Sequence, residues 1–141
     1  MRKILIPCDS SDNALRAVRY AASVTKYFSD VQLELLYVHD PMQLREYADL
    51  LKQNAEHNRQ VIETNRILQP AKQILDTAGV PYQIRWRVGS PANEIAQHVY
   101  ETHCDAIIMG TRGLSAVATV MIGSVATKVI HLVEVPVTLI K

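Results

Sequence analysis

The sequence predicts an α/β fold, an open five-stranded parallel sheet with helices on both faces. Three observations predict it. Short aliphatic runs without polar alternation recur along the chain, as in strands that are buried on both faces. Segments whose apolar residues have helical spacing separate these runs. Strands and helices alternate strictly, which is typical of a parallel sheet. The length of 141 residues corresponds to one domain, covering residues 1–141.

The first part of the chain predicts two strands around one helix. Lys3–Cys8 is the first aliphatic run, and Asp9–Asp12 after it supplies helix-capping side chains. Small and apolar residues at helical spacing then extend to about Phe28. Val31–His39 is the second apolar strand, and Asp40-Pro41 ends it.

A long helix is predicted before residue 79. Six residues fall on one helix face, and they are Val61, Thr64, Leu68, Ala71, Leu75 and Ala78. Pro70 lies inside this pattern and predicts a kink or a break about one turn earlier. Gly79 has the position of a glycine that ends a helix.

The remaining elements complete the alternation. Tyr82–Val88 is the third strand, and Gly89-Ser90-Pro91 predicts a turn, an N-cap and a first-turn proline. The next helix face contains Ala92, Ile95, Ala96, Val99 and Tyr100. Asp105–Gly110 is the fourth strand, Ser124–Leu132 the last helix and Pro136–Ile140 the last strand.

Charge and composition exclude several classes of protein. The chain has 15 basic and 14 acidic residues, a net charge of +1, so it lacks the general basic surface of nucleic-acid and membrane binders. Two cysteines are too few for a disulfide scaffold, and Cys8, with no C-x-x-C motif, is expected to be a small buried hydrophobic residue. No apolar run reaches the roughly 18 residues of a membrane span. We therefore expect a cytoplasmic protein without nucleic-acid or membrane partners.

Glycines gather where a parallel sheet binds ligands. Gly110 and Gly113 follow the fourth strand, and Gly123-Ser124 opens the last helix. The free N–H groups and the dipole of a helix start favour an anion, and Arg112 adds positive charge. The chain contains neither G-x-G-x-x-G after the first strand nor the G-x-x-x-x-G-K-[ST] of P-loop enzymes. The residues alone leave two interpretations open, a phosphate loop or a turn before an ordinary helix.

A longer glycine motif resembles that of a known protein family. Gly110-Thr-Arg-Gly113, nine residues and Gly123-Ser124 match G-x2-G-x9-G-[ST] without a gap. On this motif the chain resembles the universal stress protein family, in the branch that binds ATP. Asp9-Ser10, Leu35–Val38, Gly123–Ala126 and Pro136-Val137 also match the family. The resemblance covers the whole chain and implies a Rossmann-like sheet of strand order 3-2-1-4-5.

The resemblance also implies a site at the carboxyl ends of the first and fourth strands. Val38 would present backbone groups to adenine, and Asp9 would lie near the nucleoside, at the ribose or at a metal ion. Pro7 and Met109 would line the walls. The residues around the ribose and phosphates would be Gly110, Arg112, Gly113, Gly123, Ser124 and Val125. Mg²⁺ would be carried by the phosphates, since no protein metal site is expected from the histidine and cysteine spacing.

The implied function is that of a cytosolic stress-response regulatory protein that binds ATP. One alternative is slow hydrolysis or phosphoryl transfer at the same site, for which Asp9 and Arg112 are candidates although no dedicated catalytic set is visible. A second alternative is a partner-binding dimer with an empty site, which the retained glycines disfavour. The resemblance implies a homodimer through the bare apolar edge Val137–Ile140. We also expect valine at both Gly110 and Gly113 to abolish ATP binding and to leave the fold intact.

Overall fold

The computed structural model describes residues 2–41, 53–112 and 122–141. Five parallel strands form one sheet in the order β3-β2-β1-β4-β5, so the fold class and the strand order are confirmed. The strands are β1 (Arg2–Pro7), β2 (Val31–His39), β3 (Tyr82–Val88), β4 (Ala106–Gly110) and β5 (Val137–Ile140). The described helices are α1 (Asp12–Thr25), α2 (Gln53–Ala78), α3 (Pro91–Thr102) and α4 (Ser124–Leu132).

The aliphatic character of β1 follows from its central place. It pairs with β2 on one side, from Arg2 opposite Val31 to Pro7 opposite Leu36, and with β4 on the other side. Helices cover both faces of the sheet, and neither Leu5 nor Ile6 is exposed to solvent. A strand of this kind has no solvent face, and its sequence therefore shows no polar alternation.

The sheet separates two hydrophobic cores. Ile6 and Leu35 pack with α1 and α2 on one face. Leu5 and Leu36 pack with α3 and α4 on the other face. Successive side chains of a strand point to opposite faces, so β1 and β2 contribute to both cores. This arrangement fixes the helices relative to the carboxyl edge of the sheet.

The break predicted at Pro70 is absent. The helix α2 is continuous from Gln53 to Ala78, and it buries Thr64, Leu68 and Leu75. Pro70 lies on the exposed side of this helix. The hydrogen bond that a proline removes is therefore lost next to solvent, where water can bind the carbonyl group, and the helix continues through it.

Gly79 ends α2 as predicted. Its φ is +67°, a left-handed conformation that favours glycine. The N–H of Gly79 donates to the carbonyl oxygen of Asp76 at 3.1 Å, and the N–H of Val80 donates to that of Leu75 at 3.1 Å. These two bonds form a Schellman motif.

The helix α3 begins as predicted and buries Ala92, Ile95 and Val99 of the predicted face, but one member of that face lies elsewhere. Ser90 is its N-cap and Pro91 occupies its first turn. Tyr100, which the pattern placed on the buried face, is 77% exposed, and His98 is buried instead. Tyr100 lies about 100° around the helix from Val99, which places it off the Ala92–Ile95–Val99 stripe.

Candidate functional site

A cavity of about 690 Å³ lies at the carboxyl edge of the sheet. Residues at the ends of β1 and β4 line its centre. The chain leaves β1 towards β2 and β3 on one side, and β4 leads to β5 on the other. The cavity therefore occupies the switch point of the strand order, where open α/β sheets bind their ligands. Its volume falls within the range of small-molecule sites, about 300–1,000 Å³.

The residues predicted to form a site meet in this cavity. The structure places nine of them in its lining: Pro7, Asp9, Val38, Met109, Gly110, Arg112, Gly123, Ser124 and Val125. The tenth, Gly113, lies outside the described residues. Residues that are far apart in the sequence are thus brought together at one place in the fold. What they bind stays a prediction.

Three helix N-termini converge on the cavity. Residues of the first turns of α1, α3 and α4 belong to its lining. The N-caps of α3 and α4 make no side-chain hydrogen bond to their helix. The first N–H groups of a helix lack partners within it and carry partial positive charge. This end of the sheet is consequently suited to an anion.

The entry to α4 is fixed by a backbone hydrogen bond. The N–H of Gly123 donates to the carbonyl oxygen of Thr111 at 2.6 Å. Thr111 is itself buried, and its hydroxyl accepts a hydrogen bond from Asn13 at 3.4 Å. These contacts join the end of β4, the start of α1 and the start of α4 at the cavity.

Asp9 has a structural role beside its place in the cavity. One of its carboxylate oxygens accepts the N–H of Ser11 at 2.8 Å. Ser11, not Asp9, is the N-cap of α1, and its hydroxyl accepts the N–H of Ala14 at 3.3 Å. Asp9 thus holds the turn that brings the chain from β1 into the helix.

Gly110 is required by a close approach of two backbones. A Cβ at this position would lie 2.9 Å from the carbonyl carbon of Asn13 and 3.0 Å from the nitrogen of Ala14. A valine there would overlap the first turn of α1. The expectation that valine at Gly110 leaves the fold intact is therefore wrong, and that substitution cannot report on ligand binding alone.

The other end of the cavity is formed by β2 and α2. Tyr37, Asp40 and Ile67 line it. Behind them, Nε2 of the buried His39 lies 2.8 Å from the hydroxyl of Thr64, which attaches α2 to the end of β2. Burial, and next the carboxylate of Glu63, raise the pKa of the Tyr37 hydroxyl. Tyr37 is therefore a neutral hydrogen-bonding group at neutral pH.

The comparisons with known proteins identify the family. The Universal stress protein family matches residues 1–141. A universal stress protein of Methanocaldococcus jannaschii, MJ0531, is 31% identical over 99% of this chain and 82% of its own length.

This chain belongs to the universal stress protein family.

Solved structures agree with this assignment. The hypothetical protein MJ0577 superposes with a TM-score of 0.84 at 27% identity, over 99% of this chain and 95% of its own. A universal stress protein of Archaeoglobus fulgidus, solved in complex with dAMP, has a TM-score of 0.68 at 25% identity, over 100% and 98% of the two chains. In this universal stress protein, no described helix has both the length and the apolar character that crossing a membrane requires.

Sequence reasoning missed several residues of the cavity in this universal stress protein. Lys128 is the most informative, because it adds a second cation to the lining beside Arg112. It follows Ser124 by four residues on α4, which places both side chains on one helix face. That spacing was a usable signal. The other missed polar residues of the lining are Ser11, Tyr37, Asp40, Ser90 and Thr111.

Cys8 also lines the cavity, but it is chemically inert. Its side chain is buried. Burial, and next the Asp9 carboxylate, raise the pKa of the thiol to about 12. The nucleophilic thiolate is therefore scarce at neutral pH, and the expectation of a small buried hydrophobic residue is confirmed.

Proposed function

We propose that this universal stress protein binds ATP in the cavity at the ends of β1 and β4 and acts as a regulatory nucleotide-binding module. The observation that carries the proposal is the composition of one end of the cavity. The first residues of α4 and the two cationic residues Arg112 and Lys128 all belong to its lining.

The phosphates belong at the α4 end. Gly123 as N-cap leaves the first N–H groups of α4 without a side-chain partner, and a helix start of this kind binds phosphate oxygens. Arg112 offers a planar fork for phosphate and Lys128 a point charge. Two cations favour a ligand with several phosphates over a monophosphate, which supports ATP among the adenine nucleotides.

The adenosine belongs between β1 and β2. Pro7 and Met109 supply apolar walls, and Val38 lies at the edge where its backbone can face a base. Mg²⁺ would come with the phosphates, since it keeps several waters and takes one or two carboxylates. Asp9 is the carboxylate in the lining that fits this role, because one of its oxygens is already held by the turn.

Relatives support an adenine nucleotide as the ligand class. The Archaeoglobus fulgidus protein was solved in complex with dAMP, and its chain aligns with this one over nearly its full length. The shared fold, together with a cavity of small-molecule size in this chain, supports a ligand of the same class.

Two measurements test the proposal. Acid release from freshly purified protein, followed by mass spectrometry, should yield an adenine nucleotide at about one per chain. After the nucleotide is stripped, calorimetry should show Mg-ATP binding. Recovered ADP would point to hydrolysis. Protein that is empty and that also ignores Mg-ATP would contradict the proposal and favour the partner-binding dimer.

A matched pair of lysine variants locates the phosphates. Lys128→Ala removes one of the two cavity cations and should weaken ATP binding about tenfold, equivalent to about 1.4 kcal/mol. Lys26→Ala removes an exposed lysine after the end of α1, at the opposite end of that helix from the cavity. It should leave the affinity unchanged. Equal ATP affinities of the two variants would show that Lys128 does not contribute to the site.

We further propose that the protein is a homodimer through β5. This strand is the outer strand of the sheet beyond β4, and its sequence Val137–Ile140 carries no charge. An uncovered apolar edge invites pairing with another chain, and a two-fold axis would pair it with its own copy. Sedimentation at micromolar concentration should give a species of twice 15.8 kDa. A species of 15.8 kDa alone would contradict this proposal.

A further inference from the structure

A second group of chemically active side chains lies away from the cavity. Glu34 of β2, His98 of α3 and Cys104 after α3 each offer one ligand atom, and these atoms all lie within 4.8 Å of one another. Their exposed fractions are 1%, 3% and 5%. Glu34 stands 64 positions before His98, whereas Cys104 follows His98 by only six, and the sequence alone did not indicate that the three meet.

We propose that Glu34, His98 and Cys104 form a site for a divalent transition metal ion, Zn²⁺ in the first place. A carboxylate, an imidazole and a thiol are the three side chains that zinc takes as ligands. Three protein ligands with a fourth position for water is a common zinc arrangement. Magnesium and calcium are disfavoured, because both prefer sets made entirely of oxygen.

The ligand atoms must rearrange to bind zinc: around a tetrahedral ion they would lie about 3.3–3.6 Å apart, whereas here they lie within 4.8 Å of one another, so the sulfur of Cys104 has to approach by up to about 1.2 Å. Nε2 of His98 lies 2.9 Å from one carboxylate oxygen of Glu34. Around a tetrahedral ion with bonds of about 2.0–2.1 Å, these two atoms would be about 3.3 Å apart. The pair must therefore open by about 0.4 Å, which a change in side-chain torsion provides. The thiol of Cys104 lies 3.2 Å from the hydroxyl of Thr102. That hydroxyl donates to the carbonyl oxygen of His98 at 2.7 Å, and it would have to turn its proton to the sulfur to stay a partner of the thiolate.

The surrounding charges are compatible with a bound ion. Nζ of Lys3 and Nε of Arg85 each lie 3.8 Å from the second oxygen of Glu34, the one that does not face His98. Partners of this kind orient a metal-binding carboxylate from outside. With the thiol bound as thiolate and its proton released to solvent, the two negative ligands balance the charge of the ion.

A metal ion could reach this site from solvent, and the site is separate from the nucleotide cavity. The side chain of Lys3 is 27% exposed and that of Arg85 is 47% exposed, so the two flexible side chains that cover Glu34 reach the surface. Lys3 stands near the start of β1 and Pro7 of the cavity stands at its end. Glu34 itself lies opposite Leu5 of β1, two positions or roughly 7 Å of strand from Pro7, and Glu34, His98 and Cys104 do not belong to the lining of the nucleotide cavity, so the two sites are distinct.

The metal-free form is also self-consistent. Each buried side-chain nitrogen and oxygen of the described residues has a hydrogen-bond partner without an ion. The proposal therefore concerns binding and not a requirement for folding. Zinc should raise the thermal midpoint because it binds the folded chain, whereas a chelator should leave the protein folded.

The test uses untagged, metal-free protein and zinc or cobalt chloride. After equilibration with micromolar zinc and gel filtration, the wild type should retain about one zinc ion per chain. Its cobalt form should show a thiolate-to-cobalt charge-transfer band. Glu34→Gln and Cys104→Ser are nearly isosteric and should weaken zinc binding at least tenfold, since even changes outside the ligand set cost about 10–100-fold. Cys8→Ser is the matched control and should bind as the wild type does.

Three results would overturn the proposal. They are a wild type that retains no zinc, zinc affinities of Glu34→Gln and Cys104→Ser that both equal the affinity of the wild type, and a cobalt band that survives Cys104→Ser but disappears in Cys8→Ser. If either core variant fails to fold, alkylation of the wild type decides. Zinc should slow the modification of Cys104, whereas Cys8 should stay unmodified with and without zinc; unchanged modification of Cys104 would refute the site.

Discussion

Replacement of Gly110 by alanine tests the contact that joins β4 to α1. The new Cβ would lie 2.9 Å from the carbonyl carbon of Asn13, whereas carbon atoms in contact are about 3.5–4.0 Å apart. The first turn of α1 must therefore move by roughly 0.6 Å or more. Strain of this kind in a packed interior costs about 1–3 kcal/mol.

The effect is large enough to measure by thermal unfolding. For a chain of this length, 1 kcal/mol shifts the midpoint by about 3–4 °C, so Gly110→Ala should lower it by roughly 3–12 °C. Differential scanning calorimetry of nucleotide-free protein separates this loss from any loss of ligand. A midpoint equal to that of the wild type would show that α1 does not approach Gly110 so closely, and the glycine would then be explained by the ligand alone.

Three further predictions concern single residues. Gly79→Ala should lower the free energy of unfolding by about 1 kcal/mol, because φ is +67° there; equal urea midpoints would contradict this. Cys8, with a pKa of about 12, should have about one thiolate in 10,000 at pH 8, so peptide mapping should find it unmodified by iodoacetamide in the native protein. Burial lowers the pKa of His39, so unfolded chains bind more protons than folded ones just below pH 6.5. Stability should fall as the pH drops from 7 to 5, and less so in His39→Gln; identical pH profiles would refute this assignment.

The fold could be predicted from the sequence because the strand, helix and turn patterns along the chain match the order of elements in the sheet. Val31–His39, Tyr82–Val88 and Ser124–Leu132 have the predicted bounds, since each is flanked by turn or capping residues. The meeting of the candidate site residues in one cavity was predictable for a related reason. In a parallel sheet every strand delivers its last residues to the same edge, so residues such as Asp9 and Gly123 meet there whatever their distance along the chain.

What could not be predicted depends on packing between distant elements. The burial of His98 follows from its hydrogen bond to Glu34, 64 positions away in the chain. The helix α2 continues through Pro70 because this residue lies on its exposed side. The helical spacing of apolar residues did not by itself show that a proline is tolerated there. Gly110 was assigned to a ligand, because the sequence could not show that Asn13 of another element lies against it.

The hydrogen bond between Gly123 and Thr111 has a consequence for how such proteins diversify. It ties together two points twelve positions apart in the chain, one at the end of β4 and the other at the start of α4. Closing a flexible loop costs only about 0.6 kcal/mol more for each doubling of its length, so insertions between two positions that are already tied together cost little stability. We therefore expect related proteins to vary more in the length and chemistry of the sequence between these two positions than at the positions themselves, while the start of α4 keeps its place.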